Sequence, residues 1–84
     1  PIVKAESWLK SNQNWYYQQQ GHLVQNDWVY DKGEWYYVSS SGAMIANDWV
    51  KDNGKWYYLA SSGKMLRNTY TPDGYYVGNS GAWQ

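Results

Sequence analysis

A chain of 84 residues has room for one compact domain, and a domain this small buries only about 60–65% of the surface its unfolded chain exposes, so a large catalytic core is not expected. Seven Lys/Arg offset seven Asp/Glu and there is no cysteine. No net field is available to gather nucleic acid or an anionic membrane, and neither disulfides nor thiolate metal sites can brace the fold. Seven Trp and ten Tyr, without one Phe, sit in a chain of mean hydropathy −0.86. Rings that are apolar in body and polar at the tip suit a surface that touches something. No apolar run approaches the ~18 residues a membrane-spanning helix needs, so no membrane insertion is expected. The chain opens Pro1-Ile2-Val3 and reads as a processed or excised piece, whose export signal would lie upstream.

Four units follow in chain order. The first, about residues 7–25, carries Trp8, Trp15-Tyr16-Tyr17, Gly21 and Leu23. The second, 26–46, carries Trp28, Trp35-Tyr36-Tyr37, Gly42 and Met44, and the third, 47–67, carries Trp49, Trp56-Tyr57-Tyr58, Gly63 and Met65. The fourth, 68–84, is degenerate: Tyr70 replaces the leading Trp, Gly74 the second Trp and Trp83 the Met, around a Pro72-Asp73-Gly74 turn. It reads as a cap, since the end unit of an array has no neighbour to cover one side. The unit is Trp-x6-Trp-Tyr-Tyr with a later Gly, and it recurs every 20 to 21 residues. Repetition at this period marks a stacked array whose single units cannot bury their own apolar side.

Each unit is expected to be a β-hairpin. Asn53-Gly54 supplies the positive φ angles of a two-residue type I′ turn, and Lys32-Gly33 and Asn12-Gln13 fill the same slot with weaker turn chemistry. With that turn Lys51 faces Trp56, Val50 faces Tyr57 and Trp49 faces Tyr58. Strand alternation then sets Trp49, Trp56 and Tyr58 on an outer aromatic face and Val50, Tyr57 and Leu59 on a core face. The second unit divides likewise, with Trp28, Trp35 and Tyr37 opposite Val29, Tyr36 and Val38; the first puts Trp8, Trp15 and Tyr17 opposite Leu9 and Tyr16. Gly42 and Gly63 offer turns with φ above zero, and Met44 and Met65 fill the gaps between hairpins. Ser11 to Gln20 and Gln25 to Asp27 are polar enough for loop or edge. The fold class expected is all-β, a solenoid of hairpins.

The run Asp48-Trp49-Val50-Lys51-Asp52-Asn53-Gly54-Lys55-Trp56-Tyr57-Tyr58-Leu59-Ala60-Ser61-Ser62-Gly63-Lys64-Met65 resembles the choline-binding repeat of pneumococcal and phage cell-wall-binding modules. The resemblance extends from about Ser7 to Gln84. It implies a left-handed superhelix of hairpins, with pockets between consecutive hairpins that take the choline of teichoic or lipoteichoic acids, on a secreted, wall-associated protein. Carried over by position, it implies a cage of Trp28, Trp35 and Met44 closed by Trp49, Trp56 or Tyr58, with Tyr37 and Met65 in matching places. A first pocket would use Trp8, Trp15 and Leu23 with Trp28, Trp35 or Tyr37, and a last would join Trp49 and Trp56 to Tyr70 or Tyr75. Family units usually begin Gly-Trp, whereas these have Asp27-Trp28 and Asp48-Trp49. The physics of the ligand suits this assignment. A quaternary ammonium cannot donate a hydrogen bond, and ring faces offer its charge a negative quadrupole and its methyl groups a carbon surface.

Plainer explanations cover the remaining residues. His22 is the single histidine, in a polar stretch with no second histidine for a metal. Asp31, Asp52 and Asp73 recur in turn slots, which turn chemistry explains better than acid–base catalysis. Lys51, Lys55, Lys64 and Arg67 read as solubilising charges. No cofactor and no catalysis are expected. Two other readings of the aromatic face stand beside choline: a glucan-binding array, and a structural module whose outer rings mate with a second copy in a homodimer.

Overall fold

The structure, a computed structural model, describes residues 6–84. Its described residues form strands and turns with no helix: β1 (Ser7–Ser11), β2 (Asn14–Gln19), β3 (His22–Leu23), β4 (Asp27–Asp31), β5 (Glu34–Val38), β6 (Asp48–Asp52), β7 (Lys55–Leu59), β8 (Thr69–Tyr70) and β9 (Tyr76–Val77). All pairs are antiparallel and local, β1-β2-β3, β4-β5, β6-β7 and β8-β9, so the last three sheets are each one hairpin and the first is a hairpin with a short third strand. The hairpins stack into a solenoid 47 × 24 × 22 Å across.

Turn chemistry sets the pairing. Asn53 and Gly54 take φ of 51° and 77°, Lys32 and Gly33 50° and 84°, and Asn12 and Gln13 49° and 70°. These are the doubly positive angles of a type I′ turn, whose twist matches that of the strands it joins. The register of β6 on β7 follows as expected, with Lys51 opposite Trp56, Val50 opposite Tyr57 and Trp49 opposite Tyr58. Asn26, Asn47 and Asn68 enter the left-handed region one residue before a hairpin's first strand or its opening bend, where asparagine is tolerated better than most residues.

Between hairpins, one backbone bond per step locks the stack. The Met44 N–H donates to the Trp15 carbonyl at 2.7 Å, the Met65 N–H to Trp35 at 2.8 Å and the Trp83 N–H to Trp56 at 2.8 Å. The connecting loop after one hairpin therefore reaches back to the hairpin before it. Gly63 and Gly81 make that possible: a Cβ built on either would lie 2.5–2.6 Å from the thioether of Met44 or Met65, respectively. Both also hold φ at 90°.

Two local expectations change. Asn14–Gln19 is the central strand of the first sheet rather than loop or edge, because Trp15, Tyr16 and Tyr17 pair with β1 while Gln18 and Gln19 pair with β3. His22 lies in that short third strand, opposite Gln19.

The core is a row of aliphatic side chains with two tyrosines. Val38, Leu59 and Val77 are fully buried, and Val29, Val50, Tyr17 and Tyr58 nearly so. Tyr17 and Tyr58 were expected on the outer face. They do share a face with Trp8 and Trp49, but the indoles lie over them edge-on, at 5.0 Å and 67° for Trp8–Tyr17 and 5.2 Å and 75° for Trp49–Tyr58. Tyr57, expected in the core beside Val50, turns instead to Trp28 of the preceding hairpin, 5.2 Å away. The physical reason is that an inner hairpin has a neighbour on both sides. Alternation separates its faces without making either one the outside.

Burial, then the negative charges of Glu6 and Asp31, raise the Tyr17 phenol above its ordinary pKa of 10.0, and burial does the same for Tyr36 and Tyr37. A folded-state pKa above the unfolded one favours the neutral phenol in the fold. The contribution is therefore complete below about pH 10 and is lost as pH rises through the folded-state value. Urea midpoints are expected to stay level from pH 7 to 9 and fall above pH 10, with a shallower fall in Tyr17→Phe. A variant that tracks the parent throughout would remove Tyr17 from the explanation.

Candidate functional site

Two concave notches open between successive hairpins. One, about 170 Å³, is lined by Trp28 and Trp35 of the second hairpin, Tyr57 of the third, Met65 from the loop beyond it, and Ser80. The next, about 270 Å³, is lined by Trp49 and Trp56, then Tyr75 and Trp83. Residues 28, 35, 57 and 65 correspond in order to 49, 56, 75 and 83, so the two notches are one design repeated. The same positions at the first step are Trp8, Trp15, Tyr36 and Met44, where Trp8 and Tyr36 are 5.2 Å apart and Trp8, Tyr36 and Met44 each pack against the core of Tyr17, Val29 and Val38.

The rings meet at steep angles. Trp28 and Trp35 stand at 87° with centroids 6.2 Å apart, and Tyr57 closes on Trp28 at 82°. In the larger notch Tyr75 lies 6.0 Å from Trp49 at 78° and 5.6 Å from Trp83 at 86°. Rings set this way line a corner with π-faces instead of stacking away against one another. Both volumes fall below the ~300 Å³ at which pockets for drug-sized ligands begin, which suits a small headgroup. Trp35, Trp56, Tyr75 and Trp83 stay 40–49% exposed.

Carboxylates hold the leading indoles in place. Trp28 Nε1–H donates to Asp52 Oδ2, and Trp49 Nε1–H to Asp73 Oδ2, each at 3.1 Å. Asp73 also accepts from the Thr71 hydroxyl. Those two hydrogen bonds, Thr71 first and then Trp49, hold its carboxyl below the usual carboxylate range. Asp27 and Asp48 have a local role, each accepting the backbone N–H of the tryptophan that follows.

Trp28, Trp35 and Met65 come together, as do Trp49, Trp56 and Tyr75. Met44 does not join Trp28 and Trp35; it sits one step earlier, its N–H on the Trp15 carbonyl, because the loop carrying it reaches back along the stack. Tyr37 and Tyr58 lie beneath Trp28 and Trp49 and line neither notch. Leu23 takes the place equivalent to Met44 in the first unit, and with no described hairpin before it remains 47% exposed. Tyr70 pairs with Tyr76 at the far end, 68% exposed and outside the larger notch. Sequence reasoning missed Tyr57, Trp83 and Ser80 as lining residues and Asp52 and Asp73 as indole anchors. The 24-residue separation common to Trp28–Asp52 and Trp49–Asp73 was the available signal.

The comparisons agree on the class of protein that this architecture defines. Residues 22–57 and 43–83 match the choline-binding repeat, and residues 6–17 match the putative cell wall binding repeat. The choline binding domain of Spr1274 from Streptococcus pneumoniae is 37% identical, with a TM-score of 0.84 over 99% of both chains. The endolysin of phage Cp-1, solved with choline, is 33% identical with a TM-score of 0.83; all of this chain aligns, spanning 25% of the endolysin. Choline binding protein F of Streptococcus pneumoniae is 39% identical with a TM-score of 0.79, over 95% of this chain and 26% of that one. No curated protein sequence matches. The chain belongs to the choline-binding repeat family and is a choline-binding repeat module with the β-hairpin solenoid fold.

Proposed function

We propose that the module retains a protein at a bacterial surface by seating the choline groups of wall teichoic or lipoteichoic acid in its inter-hairpin notches. The observation that carries this reading is the recurrence of one aromatic corner, Trp28/Trp35/Tyr57/Met65 and then Trp49/Trp56/Tyr75/Trp83, at consecutive steps of the stack. The trimethylammonium group meets ring faces on several sides, and the carboxylates of Asp52 and Asp73 behind the leading indoles add negative potential. Desolvated cation–π contacts of about 2 kcal/mol each, less ordering and desolvation costs, leave a single headgroup near millimolar affinity, about −4 kcal/mol. A polymer engages several notches at once, and linkage of this kind multiplies affinity by roughly 10² to 10⁴. The work is extracellular, at the wall, and the module acts as the binding part of whatever it is joined to.

Choline titration followed by tryptophan fluorescence tests the reading. A saturable change is expected with a midpoint of a few millimolar, roughly the affinity above. A flat response through tens of millimolar, or retention on dextran that choline does not compete, would remove it.

A further inference from the structure

In two of the three full units the residue directly across the hairpin from the second tryptophan is a lysine. Lys10 pairs with Trp15 and Lys51 with Trp56, and their ammonium groups stand 5.6 and 5.7 Å from the ring centroids. In the second unit that position is Tyr30, whose ring tilts against Trp35 at 4.8 Å and 54°. Lys51 does not line the Trp49/Trp56 notch, and Tyr30 does not line the Trp28/Trp35 notch. Tyr30 borders a separate recess of about 280 Å³ that Trp35 also borders. Each therefore touches its indole from outside the notch that indole walls.

We propose that Lys51 is an internal competitor that weakens the Trp49/Trp56 notch for cations in particular, and that Tyr30 in the same place spares the Trp28/Trp35 notch. This rests on the notches being quaternary-ammonium sites. A ring's negative quadrupole draws a cation to within about 6 Å of its centroid. A ligand held there shares Trp56 with the Lys51 ammonium, and the two like charges are then roughly 10 Å apart. At effective dielectric constants of roughly 35 to 80, the water side of the ~20 typical near a protein surface, because Lys51 is exposed, this repulsion weakens binding about two- to five-fold, and salt near 0.1 M screens much of it. A neutral ligand of the same shape does not sense the charge.

The test follows the indole N–H resonances of Trp28 and Trp49, one per notch, during low-salt titrations. The two probes are choline and its carbon isostere, in which a tert-butyl group replaces trimethylammonium. Lys51→Gln is expected to lower the choline midpoint at Trp49 about two- to five-fold, leaving Trp28 and both isostere midpoints unmoved. Tyr30→Lys is expected to raise the choline midpoint at Trp28 by a similar factor. Lys64→Gln removes the same charge from a connecting loop and is expected to move neither. An unchanged Trp49 midpoint in Lys51→Gln, or equal shifts for choline and the isostere, overturns the proposal. If choline moves neither indole of the parent chain, the notch reading itself fails and the proposal falls with it.

Discussion

Replacing Trp35 and Trp56 together by alanine is expected to abolish retention on a choline-bearing resin while the hairpin stack stays folded. Each indole forms one wall of a notch, and both are about 40% exposed. Losing one desolvated ring from a cage forfeits about 2 kcal/mol, close to a thirty-fold weaker site. Two weakened sites also remove the linkage gain between them. Stability is expected to change far less, by about 1 kcal/mol, because neither side chain is buried and, among the described residues, neither indole nitrogen has a hydrogen-bond partner. The other pair would not separate the two effects so cleanly, since Trp28 and Trp49 anchor on Asp52 and Asp73 and roof Tyr37 and Tyr58. Far-UV circular dichroism and a urea titration beside the resin assay check the prediction. Global unfolding would make these rings structural, and full retention would place the ligand elsewhere.

Leu59→Ala is expected to have the largest effect on stability. Leu59 is fully buried in the third hairpin, and truncating a buried leucine costs about 2–5 kcal/mol through lost transfer energy and the cavity left behind. A domain of 84 residues has only about 4–12 kcal/mol in total. In a quasi-linear stack each unit is supported by its nearest neighbours, so damage at this position uncouples the fourth unit from the first two hairpins. The urea midpoint is expected to collapse or the transition to split, whereas Leu9→Ala, at a site 42% exposed, is expected to shift it by about 0.5 kcal/mol or less. Equal midpoints for the two variants would show that the buried aliphatic row is not what holds the stack.

How much of this was legible beforehand depends on the range of the interaction. Pairing within the second and third hairpins was readable, because a two-residue turn such as Asn53-Gly54 leaves one register and alternation then assigns every side chain to a face, whereas the central place of Asn14–Gln19 and its pairing with His22–Leu23 were not. The family resemblance likewise rested on short local words. What crosses between hairpins was not readable in detail. Alternation placed Trp49 with Tyr58 correctly but could not tell that Tyr58 is sealed beneath the indole, nor that Tyr57 reaches back to the Trp28 of another hairpin. The methionines were recognised as gap fillers, yet the loop's return by a whole step, set by the Met44–Trp15 and Met65–Trp35 backbone bonds, pairs each with a different tryptophan couple from the one expected. The aspartates of the turn slots posed the same problem, since their indole partners lie 24 residues upstream.

That backward reach makes the module a fence, in which no gap belongs to one post alone. Every gap borrows two rings from one post, a phenol from the next and a plug from the cord beyond, so the final post, with Gly74 where its second indole would stand, can lend but never host. Cutting away that last post would not trim one quarter of the device: it would open the gap behind it and strip Ser80 from the wall of the one before. Lengthening by an internal copy, in contrast, adds one whole gap for each post inserted.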